Sequence, residues 1–94
     1  MAIEITLEKP NHIYFSNRAN AYLEMGAYEE CIGDCNQAIT IEPNFVKPYY
    51  RKAKAYIGKS KLVEAMEVLK DAVTLDPENT EMSELMNQCA EEIA

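Results

Sequence analysis

The sequence predicts an all-α chain, a solenoid of helix-turn-helix units, and three observations predict it. The chain is self-similar at a spacing of 34 residues, the period of a two-helix repeat. After residue 12 its apolar positions recur near every 3.6 residues, and no stretch alternates with the period of two that a half-buried strand requires. Hydrophobic residues make up 48% of 94 residues with only 3 Gly and 4 Pro, a balance that suits packed helices and excludes disorder.

Laying residues 12–45 over 46–79 puts Phe15 on Tyr49, Ala19 on Ala53, Ala21 on Ala55, Tyr22 on Tyr56, Cys31 on Ala65, Ala38 on Ala72, Ile41 on Leu75 and Pro43 on Pro77. The predicted helices run over about 12–25, 28–41, 46–58, 61–75 and 79–93. Gly26 marks the first turn, while Ser60 holds that place in the second unit with Gly58 two residues earlier. Pro43 and Pro77 cannot continue a helix, so each closes a unit. In the last helix Met82, Leu85, Met86, Cys89, Ala90 and Ile93 form one apolar stripe, which makes it a capping helix, with Asn79 preferred to Thr80 as its N-cap. Residues 1–11 read as the end of a preceding repeat, and 1–10 are expected to be frayed or rearranged, since β-branched Ile3, Ile5 and Thr6 lack a packing partner there. The organisation is therefore 1–11, a remnant; 12–45 and 46–79, two repeats; and 80–94, a cap.

These spaced small, aromatic and proline positions resemble the tetratricopeptide repeat (TPR) family, whose unit has an aromatic early, a small residue at the eighth position, an aromatic at the eleventh, small residues at the twentieth and twenty-seventh, and a closing proline. Small residues at Ala19 with Ala38, and at Ala53 with Ala72, let the helices of each hairpin approach closely, and aromatics fill the space between hairpins. Arg18, at the seventh position, is expected to lie between hairpins.

Composition excludes several function classes. No run approaches the roughly 18 apolar residues of a membrane span, and Glu4 and Glu8 stand where a signal peptide would be positive, so a cytoplasmic location is expected. Cys31, Cys35 and Cys89 are odd in number and lack a Cys-x-x-Cys pair, which reads as buried reduced thiols and neither disulfides nor zinc. His12 has no visible triad partner, and there is no phosphate-binding glycine loop and no metal-spaced histidine pair, so neither an enzyme, a metal nor a cofactor is expected.

The net charge of −7 is unevenly spread: residues 44–63 hold no Asp or Glu, but contain Lys47, Arg51, Lys52, Lys54, Lys59 and Lys61. Tyr49, Tyr50 and Tyr56 interleave with this basic window in the manner of a nucleic-acid surface. However, Tyr49 and Tyr56 are taken by packing positions and the pI of about 4.6 opposes a polyanion, so nucleic acid is not an expected partner. Lys52, Lys59 and Lys61 read as solvated surface.

The TPR resemblance implies a concave groove lined by the second, fifth, sixth and ninth positions of each repeat, here Ile13, Ser16, Asn17 and Asn20, then Lys47, Tyr50, Arg51 and Lys54. This set is similar to the dicarboxylate-clamp co-chaperones of the Hsp-organising-protein type: Asn17, Lys47 and Arg51 fill three of their five clamp positions, and the other two would fall in a helix before Met1. The physical basis is direct, since Lys47 and Arg51 stand one helical turn apart, a guanidinium can hold a carboxylate by two bonds, and an Asn amide can donate to a terminal carboxylate. The resemblance implies a peptide-binding module for C-terminal Glu-Glu-Val-Asp tails of 70-kDa and 90-kDa heat-shock chaperones, with Asn17, Asn20, Lys47, Tyr50, Arg51 and Lys54 as the peptide-binding set. Two alternatives stand beside it. One is an assembly fragment that self-associates through its N-terminal end, by way of Ile13, Tyr14 and Tyr22; the other is the chaperone-docking part of a mitochondrial import receptor, which shares the clamp pattern.

Overall fold

The computed structural model describes residues 11–93, and the sequence expectation for residues 1–10 lies outside them. Five helices follow one another: α1 His12–Met25, α2 Tyr28–Ile41, α3 Lys47–Gly58, α4 Leu62–Leu75 and α5 Thr80–Ile93. No strand occurs among the described residues, as the 3.6 spacing requires. Each helix packs on the next, and α3 also reaches back to α1, so α1–α2 and α3–α4 are hairpins stacked side by side with α5 covering the second.

The predicted starts at residues 46, 61 and 79 each prove to be the residue before the helix. Val46 and Lys61 occupy the cap positions, and Asn79 caps α5 by accepting from Met82 N at 3.2 Å. Asn11 caps α1 in the same way, accepting from Tyr14 N at 2.9 Å, which satisfies a donor with no partner inside the helix. The two hairpin turns repeat each other bond for bond. Gly26 (φ 78°) is left-handed, with Ala27 N donating to Tyr22 O at 2.9 Å; Ser60 (φ 62°) is left-handed, with Lys61 N donating to Tyr56 O at 2.8 Å. Ser60 thus carries the strain that Gly26 avoids. Gly58 answers a different need: a Cβ there would run into the Tyr28 ring, so the displaced glycine makes room for the aromatic that wedges α2 against the end of α3.

The core forms two clusters. Ala19, Cys31, Ile32 and Cys35 of the first hairpin close on Ala55 of α3. Ala53, Ala65, Leu69 and Ala72 of the second close on Met82 and Cys89 of α5. Ala19, Ala38, Ala53 and Ala72, the small residues that the repeat spacing singled out, are all completely buried. Tyr56 packs against both clusters and joins them. All three cysteines are buried and free. Their proximity and burial push the Cys35 thiol well up: its hydrogen bond with Cys31 is the largest cause and desolvation the next.

Two surface readings change. Arg18, expected between hairpins, is bound within the first one: it grips Asp34, Nε to Oδ2 at 2.6 Å and Nη2 to Oδ1 at 2.8 Å. Its guanidinium also stands over the Tyr14, Phe15 and Tyr22 rings, 5.2–5.8 Å from their centroids. Sequence spacing alone did not reveal the partner, because Asp34 sits on α2 among positions read as packing. Lys59, read as solvated, is tied to Glu29 of α2.

Candidate functional site

The basic residues of the sequence window that belong to α3 spread along one face because they follow helical spacing: Lys47, Arg51 and Lys54 recur at steps of four and three. Pro48, buried at the second position of α3, fixes the entry of the helix where no internal hydrogen-bond donor is needed. Behind the face, Ala53 and Ala55 anchor α3 in the two cores, which leaves Lys47 and Lys54 exposed and Tyr50 and Arg51 half-buried at the groove floor.

Five of the six sequence-predicted residues come together. Asn20 from α1 and Lys47, Tyr50, Arg51 and Lys54 from α3 line one open cavity of about 500 Å³. Asn17 is exposed on α1 and is not part of that lining. It follows Ser16, whose carbonyl and Oγ both accept from Arg51 Nη1 at 2.6 Å. Lys54 Nζ sits 5.5 Å from the Tyr50 ring centroid, a cation–π approach that carries the charge along the groove. Asn20 donates to Glu24 at 3.3 Å.

The opposite wall was not read from the sequence. Asp76, Asn79, Glu81 and Met82, at and before the start of α5, face α3 across the cavity, with Leu23, Phe45 and Val46 completing its apolar lining. A second space of about 420 Å³ continues past Tyr50 and Lys54 to Ile57, Glu81, Glu84, Leu85 and Gln88. The signal was present but unused: Glu81, Glu84 and Gln88 step by three and four on the face of α5 beside its apolar stripe, so a helix read only as a cap also walls the groove. The groove is therefore cationic on α3 and anionic on α5.

Models of the tetratricopeptide repeat match residues 13–45 and 46–79. The Hsp70/Hsp90 co-chaperone CNS1 of Saccharomyces cerevisiae is 38% identical over 92 residues, covering 93% of this chain and 23% of that protein. The TPR2B domain of yeast Sti1, solved in complex with an Hsp70 peptide, superposes with a TM-score of 0.82 at 35% identity, covering 88% of this chain and 71% of that one. The second TPR domain of human RPAP3, solved with the HSP70 peptide SGPTIEEVD, gives a TM-score of 0.82 at 31% identity, covering 86% and 68%. The chain spans 15–23% of the length of the first curated relatives it matches, and 19% of a Trypanosoma brucei relative named serine/threonine-protein phosphatase T.

Proposed function

The chain belongs to the tetratricopeptide-repeat family, and we propose that it is a peptide-docking module of co-chaperone type, taking the acidic C-terminal tails of 70-kDa and 90-kDa heat-shock chaperones in the groove between α3 and α5. The observation that carries this reading is the convergence of Lys47, Tyr50, Arg51, Lys54 and Asn20 on one cavity. The terminal carboxylate and the aspartate side chain together present two charges at one peptide end, and a lysine and an arginine one turn apart on a rigid helix answer both. Solved relatives that hold such tails support the choice of ligand. Asn17, exposed beside Ser16, donates to the peptide from the α1 side. The module is non-catalytic and works in the cytoplasm alongside its chaperone partners; a relative named as an Hsp70/Hsp90 co-chaperone supports this, and the phosphatase relative shares only a fraction of its length.

Calorimetric titration with a peptide ending Glu-Glu-Val-Asp tests the reading. The free acid binds, more weakly as salt rises, because the contacts are charge-assisted and partly exposed. Arg51→Ala weakens it about 10- to 100-fold, the worth of one charged hydrogen-bonded contact of roughly 1.5–3 kcal/mol. Equal affinity for the C-terminally amidated peptide would overturn the clamp and leave only general attraction to the basic wall.

A second reading, self-association, draws on Ile13 and Tyr14, which are 51% and 45% exposed on α1. A strict monomer in sedimentation at high concentration would set it aside.

A further inference from the structure

Among the described residues Arg51 is the one cationic groove residue whose charged head is hydrogen-bonded by the fold itself. Its Nη1 donates to both the carbonyl and the hydroxyl of Ser16, each at 2.6 Å, and Ser16 is only 1% exposed. At its backbone end the Arg51 carbonyl accepts from Cys31 Sγ at 3.9 Å, so α1 and α2 fix the residue at opposite ends. The guanidinium makes no other side-chain hydrogen bond among the described residues, which leaves the Nη2 and Nε edge free.

We propose that Ser16 is a positioning residue for the peptide clamp: it takes one corner of the Arg51 guanidinium and so turns the remaining edge toward an incoming carboxylate. This rests on the docking function proposed above and deepens it. A free arginine side chain gives up about 2 kcal/mol of rotamer entropy when immobilised, and a planar fork binds a carboxylate by two parallel bonds only when its plane is already set. The buried hydroxyl, together with the Ser16 carbonyl, sets that plane before the ligand arrives. It also links α1 to α3 through the residue next to Asn17, so the amide and the guanidinium are held in one register. A lysine at position 51 could not serve in the same way, because its three donors radiate from one nitrogen and cannot pair with a carboxylate by two parallel bonds.

The test has two arms on the full chain. In nitrogen-15 NMR, wild-type Arg51 gives separate Nη1 and Nη2 signals, because rotation about Nε–Cζ is slowed by the Ser16 anchor. In Ser16→Ala, which keeps the helix and the carbonyl bond but removes the hydroxyl, exchange between those signals speeds up and they broaden toward each other. In titrations, Ser16→Ala weakens the free-acid peptide about 3- to 10-fold, leaves the amidated peptide unchanged, and has no further effect in an Arg51→Ala background. Unchanged Arg51 signals in Ser16→Ala, or an equal loss in the Arg51→Ala background, would overturn the positioning role. A wild-type groove that fails to distinguish acid from amide would instead remove the docking function, while the spectra still decide the orientation of Arg51.

Discussion

In the first hairpin Arg18 of α1 grips Asp34 of α2; 34 residues on, the same two places hold Lys52 and Val68, and Val68 packs against the second core. Cys35, beside Cys31 in the first hairpin, is matched by Leu69 in the second, where Leu69 is among the largest fully buried side chains. Groove position Ser16 is matched by Tyr50. Turns, helix ends and the alanines at the crossing points are shared, so the repeat dictates the backbone and the closest approaches and leaves the filling free. The second hairpin fills with apolar volume and is covered on both sides by α2 and α5. The first fills with thiols and one ion pair.

The sharpest way to break this comparison is to remove the filling at equivalent places. Leu69→Ala should cost about 2–5 kcal/mol in urea unfolding, the transfer loss plus the cavity it leaves. Cys35→Ala, at the matching position, should cost about 1 kcal/mol, since a thiol is small and the hole is shallow. Equal costs would mean that the two cores carry the same load despite their different chemistry.

The ion pair comes next. Asp34 is buried while Arg18 is 43% exposed, so Asp34→Ala should cost about 1–2 kcal/mol, mostly as lost hydrogen bonds to a guanidinium that can still reach water. Asp34→Val, which places the second hairpin's residue there, should recover part of that loss, because its methyls refill the buried space while the half-exposed Arg18 can turn to water. A valine as costly as the alanine would show that Asp34 does more than fill space.

These contrasts mark what was legible in the sequence. The period, the crossing alanines, the two closing prolines and the five helices to within a residue followed from spacing, because a repeat prints its backbone rules twice. That Lys47, Tyr50, Arg51, Lys54 and Asn20 share one groove was implied by the resemblance to the TPR family, whose second, fifth, sixth and ninth positions line the concave side. The acidic wall of Glu81 and Glu84 was legible in their spacing though not in what it faces; the Arg18–Asp34 pair and the Arg51–Ser16 bond were not legible. Each occurs once, joins residues of different helices, and depends on side-chain direction that the repeat does not record.

The thiols make the first hairpin sensitive to alkali where the second has Ala65 and Leu69. Cys35 is held protonated in the fold by its bond with Cys31 and by burial, whereas in the unfolded chain a cysteine ionises near pH 8.5. A raised folded pKa contributes stability that is complete below the unfolded value and is lost as pH climbs above it. Cys31 shifts the opposite way, lowered by the same bond. Unfolding free energy should therefore fall only well above about pH 8.5, where both unfolded thiols are ionised and Cys35 in the fold is not, and Cys35→Ala should flatten that fall. A Cys35→Ala chain that loses stability with the same slope would place the alkaline weakness elsewhere.

The smallest effect belongs to the tie between the hairpins, where Lys59 at the end of α3 meets Glu29 in the first turn of α2. Glu29 is exposed, so its charge is well solvated with or without the partner, and the pair resembles other surface bridges that add little. Hydrogen bonding to Lys59 lowers the Glu29 pKa, with the attraction of the same charge as the next cause. A lowered folded pKa means the contribution is present above the unfolded value near 4.3 and disappears as pH falls through the lower folded value. Lys59→Gln should thus lower the melting temperature slightly at pH 7 and low salt, and not at all at pH 2 or in 1 M salt, where protonation or screening has already removed the attraction. Because Tyr28 also wedges beside Gly58 at this junction, a drop that persists at pH 2 would assign the effect to the packing of the lysine stem on that aromatic and not to its charge.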